Sequence, residues 1–468
     1  MGSSQAADGR PGAFGGPIRL GLVPIVRPLF RGAHMGLVTS SRHALASLAV
    51  PLGFELAYVA DPVTDATEAQ ARARELQARW SAGTLDLLVV EHVTFATGDL
   101  VAPFLELAMP LGLWALPEAT TEGPLPQNAL CGLNLSLSLL TPRTLPVKWF
   151  YGEAADAQFQ TRLRVTIQAL RGVRAVREGR LLWVGGTAPG FYRLESLPDL
   201  PLRIYRLPLE AAFDALRQVD AAQVEERLGT CDEPTAMGRE ELRAMVRLEI
   251  ALERLARGYD GVALRCWPEL PERAGSMACA PCGRLADRGC HIACEGDMAG
   301  LVSMLATAAV TGRPAVLLDL SRKDDDALLF WHCGNAARAW AAGGETRLDP
   351  HFNRGLPAVR QMRLEPGPAS GLRFLEHRRA AVYAGRVLER PNGYDGVFGW
   401  MGELRWAGRA VTAEGFLASV LNYRLPHHLV WGRGDAEAAL LELCQWLGHE
   451  PLAPDPEITV LRWPARGR

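Results

Sequence analysis

No apolar stretch in this chain comes near the roughly 18–20 residues that would span a bilayer. The longest candidates, such as Leu301–Val310, run into Gly312 and Pro314. Neither sign of charge is in excess: 50 Lys and Arg stand against 52 Asp and Glu, a formal net charge of −2. Nucleic acid and acidic membrane surfaces are therefore poor candidates as partners. There is no G-x-G-x-x-G, so nothing points to a dinucleotide. Residues Met1–Pro17 have no apolar segment of the kind a secretory signal needs, and Ala6 stands where a myristoylation signal wants Ser or Thr. They read as a disordered tail, and the expected location is cytoplasmic. No internal repeat is visible.

What is present is the composition of a globular protein, with 468 residues, more than one ordinary core accommodates. Nine cysteines (131, 231, 266, 279, 282, 290, 294, 333 and 444) form an odd set without an export signal, so free thiols are the default.

Strand-like and helix-like segments alternate through the first third. Ile18–Val26, Phe54–Ala60, Leu85–His92 and Gly112–Leu116 read as strands. Ser40–Val50, Ala66–Trp80 and Val101–Met109 read as the helices between them, which predicts a parallel sheet covered on both faces. A second α/β unit is expected from Pro146 to about residue 330. It holds strands Val147–Tyr151, Leu181–Val184 and Gly261–Trp267 and the amphipathic helix Arg239–Arg257. From Trp331 onward Gly and Pro are frequent and short runs alternate, which predicts a β-rich third domain closed by one helix, Ala436–Leu447. The expected domains are therefore 18–145, 146–330 and 331–468.

The chemistry concentrates in Gly289-Cys-His-Ile-Ala-Cys-Glu295-Gly-Asp297, a helix Met298–Thr311, a Gly312 cap and a strand Ala315–Leu320 that contains Asp319. Read as two parallel strands joined by one crossover, these segments put Glu295 and Asp319 at the carboxyl edge where ligands bind. The bland alternative is that such acids cap helices, and Asp297 suits that role. Asp319 follows Ala-Val-Leu-Leu and is expected to be largely buried, so it needs a cation or hydrogen bonds. His427 and His428 sit in a strand-like segment, which predicts that at most one faces the site. His332 follows Phe330-Trp331. Imidazoles beside a carboxylate pair suit Mn²⁺ or a similar ion. Cys279, Cys282, Cys290 and Cys294 offer a competing structural-zinc reading, weakened by the short Cys282–Cys290 gap and by Cys294 lying inside an apolar strand.

The run Pro281-Cys282-Gly-Arg-Leu285-Ala-Asp287-Arg-Gly289, followed by Ala293-Cys294-Glu295-Gly296-Asp297, resembles the L-fucose isomerase and L-arabinose isomerase superfamily. Three further stretches agree in order: Asn128–Asn134 with Lys148–Gly152, Phe330-Trp331-His332-Cys333-Gly334-Asn335-Ala336, and Leu425-Pro-His427-His428 with Gly434-Asp435. The resemblance implies an aldose–ketose isomerase of two α/β units and a barrel-like one, assembled as a trimer or hexamer; the alternatives are a non-catalytic sugar-binding homologue and an epimerase or lyase on the same scaffold. It implies Glu295, Asp319 and His428 as ligands of Mn²⁺, or of Mg²⁺ or Co²⁺, with Glu295 and Asp319 also catalytic. It further implies that Trp331, His332, Asn335 and His427 line a sugar pocket. Arg19, Arg27 and Arg31 are arginines that could meet an anionic substituent on the sugar, solvated surface charge being their default role.

Overall fold

The computed structural model describes residues 16–141 and 145–456. The expected tail lies outside them except for Gly16 and Pro17. The chain divides into two compact units, Gly16–Leu170 and the chain from Arg171 onward. Among the described residues no helix is long and apolar enough to cross a membrane.

The first unit is a five-stranded parallel sheet: β1 (Ile18–Ile25), β2 (Phe54–Val59), β3 (Leu87–His92), β4 (Leu111–Ala115) and β5 (Val147–Tyr151), in the order β2-β1-β3-β4-β5. Buried Leu, Ile and Val dominate β1 and β3, as a strand covered on both faces requires. The helix Ala66–Ser81 starts where the side chain of Asp65 accepts from the Thr67 and Glu68 amides. Val147–Tyr151, expected to open the second unit, instead pairs with β4 as the fifth strand of this sheet.

The second unit holds two sheets. Strands β6 (Arg180–Val184), β7 (Arg203–Leu207), β8 (Gly261–Leu264) and β9 (His291–Ala293) form a parallel sheet in the order β7-β6-β8-β9. The remaining strands are β10 (Val316–Lys323), β11 (Leu328–His332), β12 (Arg347–Asp349), β13 (Val359–Arg363), β14 (Gly367–Leu375), β15 (Arg379–Leu388), β16 (Val397–Trp406), β17 (Arg409–Ala410), β18 (His428–Arg433) and β19 (Glu450–Pro451). Pairing runs β16-β11-β10-β18-β14-β15, and β15 pairs back to β16, which closes a barrel. Tyr383, Trp406, Phe416 and Trp431 pack edge to face against it.

One element departs from expectation in a way that matters for the site. Val316–Lys323 is not a parallel neighbour of β9; it is an antiparallel barrel strand between β11 and β18. The helix Met298–Thr311 accounts for the difference. It is buried almost all round, packed on β8 and β9 on one side and on β14 and β18 on the other. It thus crosses from one sheet to the other rather than returning to the sheet it left. Its ends follow expectation: Asp297 accepts from the Gly300 amide, and Gly312 closes it at φ +68°.

Candidate metal centre

Glu295 is delivered by a sharp turn at the end of β9. Its own φ is +60° and that of Gly296 is +72°, so two successive residues are left-handed. A Cβ at position 296 would overlap the Gly186 carbonyl, which makes glycine obligatory there. The turn is held by the Ala188 amide donating to the Glu295 carbonyl at 2.9 Å and by the Glu295 amide donating to Cys266 Sγ at 3.3 Å. Asn335 is buried, and its amide donates to the Ile292 carbonyl and to Cys294 Sγ, which ties down the strand that leads into the turn.

His428 opens β18 and pairs across the ladder with Asp319 of β10. Its ring is buried, and Nδ1 lies 3.0 Å from Asp297 Oδ2. Burial alone would raise the Asp297 pKa, but Arg373 and His428 together hold it far below the usual carboxylate range. Asp297 is therefore ionised and can only accept, from Arg373 through both guanidinium nitrogens (2.7 and 2.9 Å) and from His428 Nδ1. In its neutral form His428 carries its proton on Nδ1, which leaves the Nε2 lone pair pointing the other way.

Nε2 faces two carboxylates, Glu295 Oε2 at 3.5 Å and Asp319 Oδ1 at 3.9 Å. Both Nε2 and Asp319 Oδ1 are buried without a hydrogen-bond partner. Nε2 in that tautomer and Asp319 Oδ1 are facing acceptors with no donor between them, so they repel, and a cation removes that repulsion. Oxygen and imidazole donors suit a hard or borderline divalent ion. The residues fit such an ion.

His427 joins them. It lies at a bend just before β18, so the strand alternation that would have turned it away does not apply, and the expectation that only one of the two histidines faces the site is corrected. Its Nε2 lies 2.9 Å from Glu295 Oε2. Glu295, His427 and His428 are the one group of potential ligands found among the described residues whose donor atoms all lie within 4.8 Å of one another. The four candidate zinc cysteines do not form such a group, and all nine cysteines are free thiols. Asp319 falls outside the group of Glu295, His427 and His428 and is less buried than expected, its side chain 29% exposed.

Aromatic rings wall the site. Trp267 Nε1 donates to Glu295 Oε1 at 3.4 Å, and Phe191 packs against both Trp267 and His427. Neither residue was singled out from sequence, and nothing in a lone aromatic beside a proline or glycine marks it. His332 is buried with its ring 5.6 Å from that of His428, and its Nδ1 has no hydrogen-bond partner. Trp331 lies beside it and donates to the Asp395 carbonyl. Burial tends to raise the Glu295 pKa, yet the hydrogen bond from His427 and the charges of His428 and His427 leave it below the ordinary value. Burial acts against protonation of His427, and the bond to Glu295 together with the charges of Asp319, Glu295 and Asp297 outweighs it and raises that pKa. Arg19, in the other unit, is committed to a two-pronged pair with Asp86, and Arg31 donates to the Pro124 carbonyl.

No family model matches the chain. Curated proteins similar to it are sulfoquinovose isomerases. That of Alkalicoccus urumqiensis is 27% identical over 334 residues, covering 66% of this chain and 74% of that protein. That of Priestia aryabhattai is 25% identical over 389 residues, covering 78% and 85%. That of Clostridium sp. is 24% identical over 334 residues, covering 66% and 74%. The likeness supports an isomerase enzyme and agrees with the resemblance to the L-fucose and L-arabinose isomerase superfamily seen in the motifs.

Proposed function

We propose that this chain is a divalent-metal-dependent aldose–ketose isomerase, with sulfoquinovose the first sugar to try. The observation that carries the reading is that His428 Nε2 faces Glu295 Oε2 at 3.5 Å and Asp319 Oδ1 at 3.9 Å, with neither Nε2 nor Oδ1 hydrogen-bonded. Glu295, Asp319 and His428 would hold the ion, with His427 beside them, and Mn²⁺ is the expected metal. When bound, it supplies Lewis acidity toward the adjacent oxygens of the sugar.

The reaction moves a proton between C2 and C1 while the carbonyl moves the other way. That requires a base and an acid within reach of adjacent carbons. Glu295 is ionised and hydrogen-bonded to His427, so it can take a proton while His427 balances its charge. Asp319 enters from the opposite element, β10, and is the second proton carrier. Trp267, Phe191 and Trp331 provide an apolar rim that keeps water from the exchanging proton. Asp297 does not touch substrate; it sets the His428 tautomer.

The test is isomerisation of a panel of aldoses, sulfoquinovose included, by the EDTA-stripped protein with and without added Mn²⁺. Turnover restored by metal and lost in Glu295→Gln is the expected result. A Glu295→Gln protein that keeps both its metal and its turnover would refute the assignment.

A further inference from the structure

The loop between β12 and β13 lies across the aromatic rim. It closes on itself, with the His351 amide donating to the Leu356 carbonyl and the Arg354 and Gly355 amides donating to the His351 carbonyl. From this loop Phe352 packs on Trp331 with ring centroids 5.6 Å apart, while the Arg354 guanidinium carbon sits 4.9 Å from the Trp267 ring centroid. The loop therefore touches both tryptophans that flank the acceptor cluster.

Arg354 is exposed, and among the described residues no carboxylate pairs with it. The neighbouring cations differ: Arg193 is ion-paired with Glu376 and Arg265 with Glu269. A guanidinium lying on an indole face is held in place and sheds water from one side, while its N–H edge stays free in the plane. That edge suits an anion with two or three equivalent oxygens, which it can grip through two parallel hydrogen bonds. One indole separates the guanidinium from Glu295, because the same Trp267 that carries Arg354 donates to Glu295 Oε1.

Resting on the isomerase reading, we propose that Arg354 is a specificity-determining residue that binds an anionic substituent, a sulfonate or a phosphate, at the end of the sugar remote from the carbonyl. Trp267 is its platform. The loop His351–Leu356 is the element that selects the substrate class, while the carboxylates and histidines below it serve the chemistry.

The experiment compares the full-length Mn²⁺-loaded protein with Arg354→Gln and Arg354→Lys on three sugars: sulfoquinovose, glucose 6-phosphate and quinovose, in which hydrogen replaces the sulfonate. For Arg354→Gln the preference for the better anionic sugar over quinovose, in kcat/KM, is expected to fall on the order of 10- to 100-fold, chiefly through KM. Lysine should restore part of it. Whichever anionic arm responds names the substituent. Loss by the same factor on anionic and neutral sugars, or an unchanged preference, overturns the proposal. Calorimetric binding of sulfoquinovose and of glucose 6-phosphate to the same proteins separates the two readings. If no sugar is turned over but an anionic sugar binds and Arg354→Gln weakens it, the isomerase reading fails and Arg354 stands. If neither anionic sugar binds more tightly than quinovose to the wild-type protein, the Arg354 assignment falls. An unchanged melting temperature reports that the variants are folded.

Discussion

Asp319 of β10 and His428 of β18 are cross-strand partners in the barrel, and their facing atoms, Oδ1 and Nε2, stand 3.9 Å apart with neither hydrogen-bonded. The ladder fixes the spacing of the two backbones, so the pair is prepared before any ligand arrives. What the pair lacks is a positive charge between its atoms.

That arrangement gives a prediction with opposite signs in two measurements. Asp319→Asn removes one of the repelling acceptors, so the metal-free protein should melt no lower than wild type. Its affinity for Mn²⁺ should fall at least as far as second-shell substitutions lower it, about 10- to 100-fold. Metal content after dialysis and a melting curve with EDTA check the two halves.

Arg373 and Asp297 form a buried ion pair beneath His428, with side-chain exposures of 1% and 0%. Removing one member leaves the other charge buried and unpaired. Arg373→Met should therefore cost about 3–5 kcal/mol in urea unfolding. Asp297→Asn should add a loss of metal affinity of about 10- to 100-fold, since the Nδ1 tautomer of His428 is no longer enforced.

The turn that presents Glu295 is predicted to be intolerant at one glycine and tolerant at another. Gly296→Ala meets the Gly186 carbonyl and should abolish turnover while lowering the melting temperature. Gly312→Ala also has positive φ, +68°, but nothing lies within 4 Å of its new methyl. It should cost only about 1–2 kcal/mol and leave metal binding intact.

A second buried network should set the acid limit of stability. Arg284 bonds both Glu249 and Glu233, and Arg360 bonds both Glu233 and Asp287. Burial tends to raise the carboxyl pKa values, but the arginines dominate and hold Glu233 and Glu249 below the ordinary value of 4.5. A depressed folded pKa contributes stability that is present above the unfolded value and lost as pH falls through the folded one. The urea midpoint should therefore drop as pH falls below 4.5, with a shallower slope in Glu249→Gln. An unchanged slope would remove Glu249 from the account.

Much of this protein was decided within short windows of sequence. The alternating runs of the first sheet, the Asp65 and Asp297 caps and the Gly312 stop are local, because capping and periodicity need only neighbours along the chain. So was the candidacy of Glu295, Asp319 and His428, whose residue types and flanking motifs stand out one by one. The route that joins them was not local. Val316–Lys323 looks alike as a parallel or an antiparallel strand, and only the burial of both sides of Met298–Thr311 sends it into the barrel. The bend that turns His427 toward Glu295, the Arg373–Asp297 pair under His428, and the loop that lays Arg354 on Trp267 all join residues between 76 and 132 positions apart in the chain. Contacts of that range depend on how whole elements pack, and no local preference of the chain encodes them.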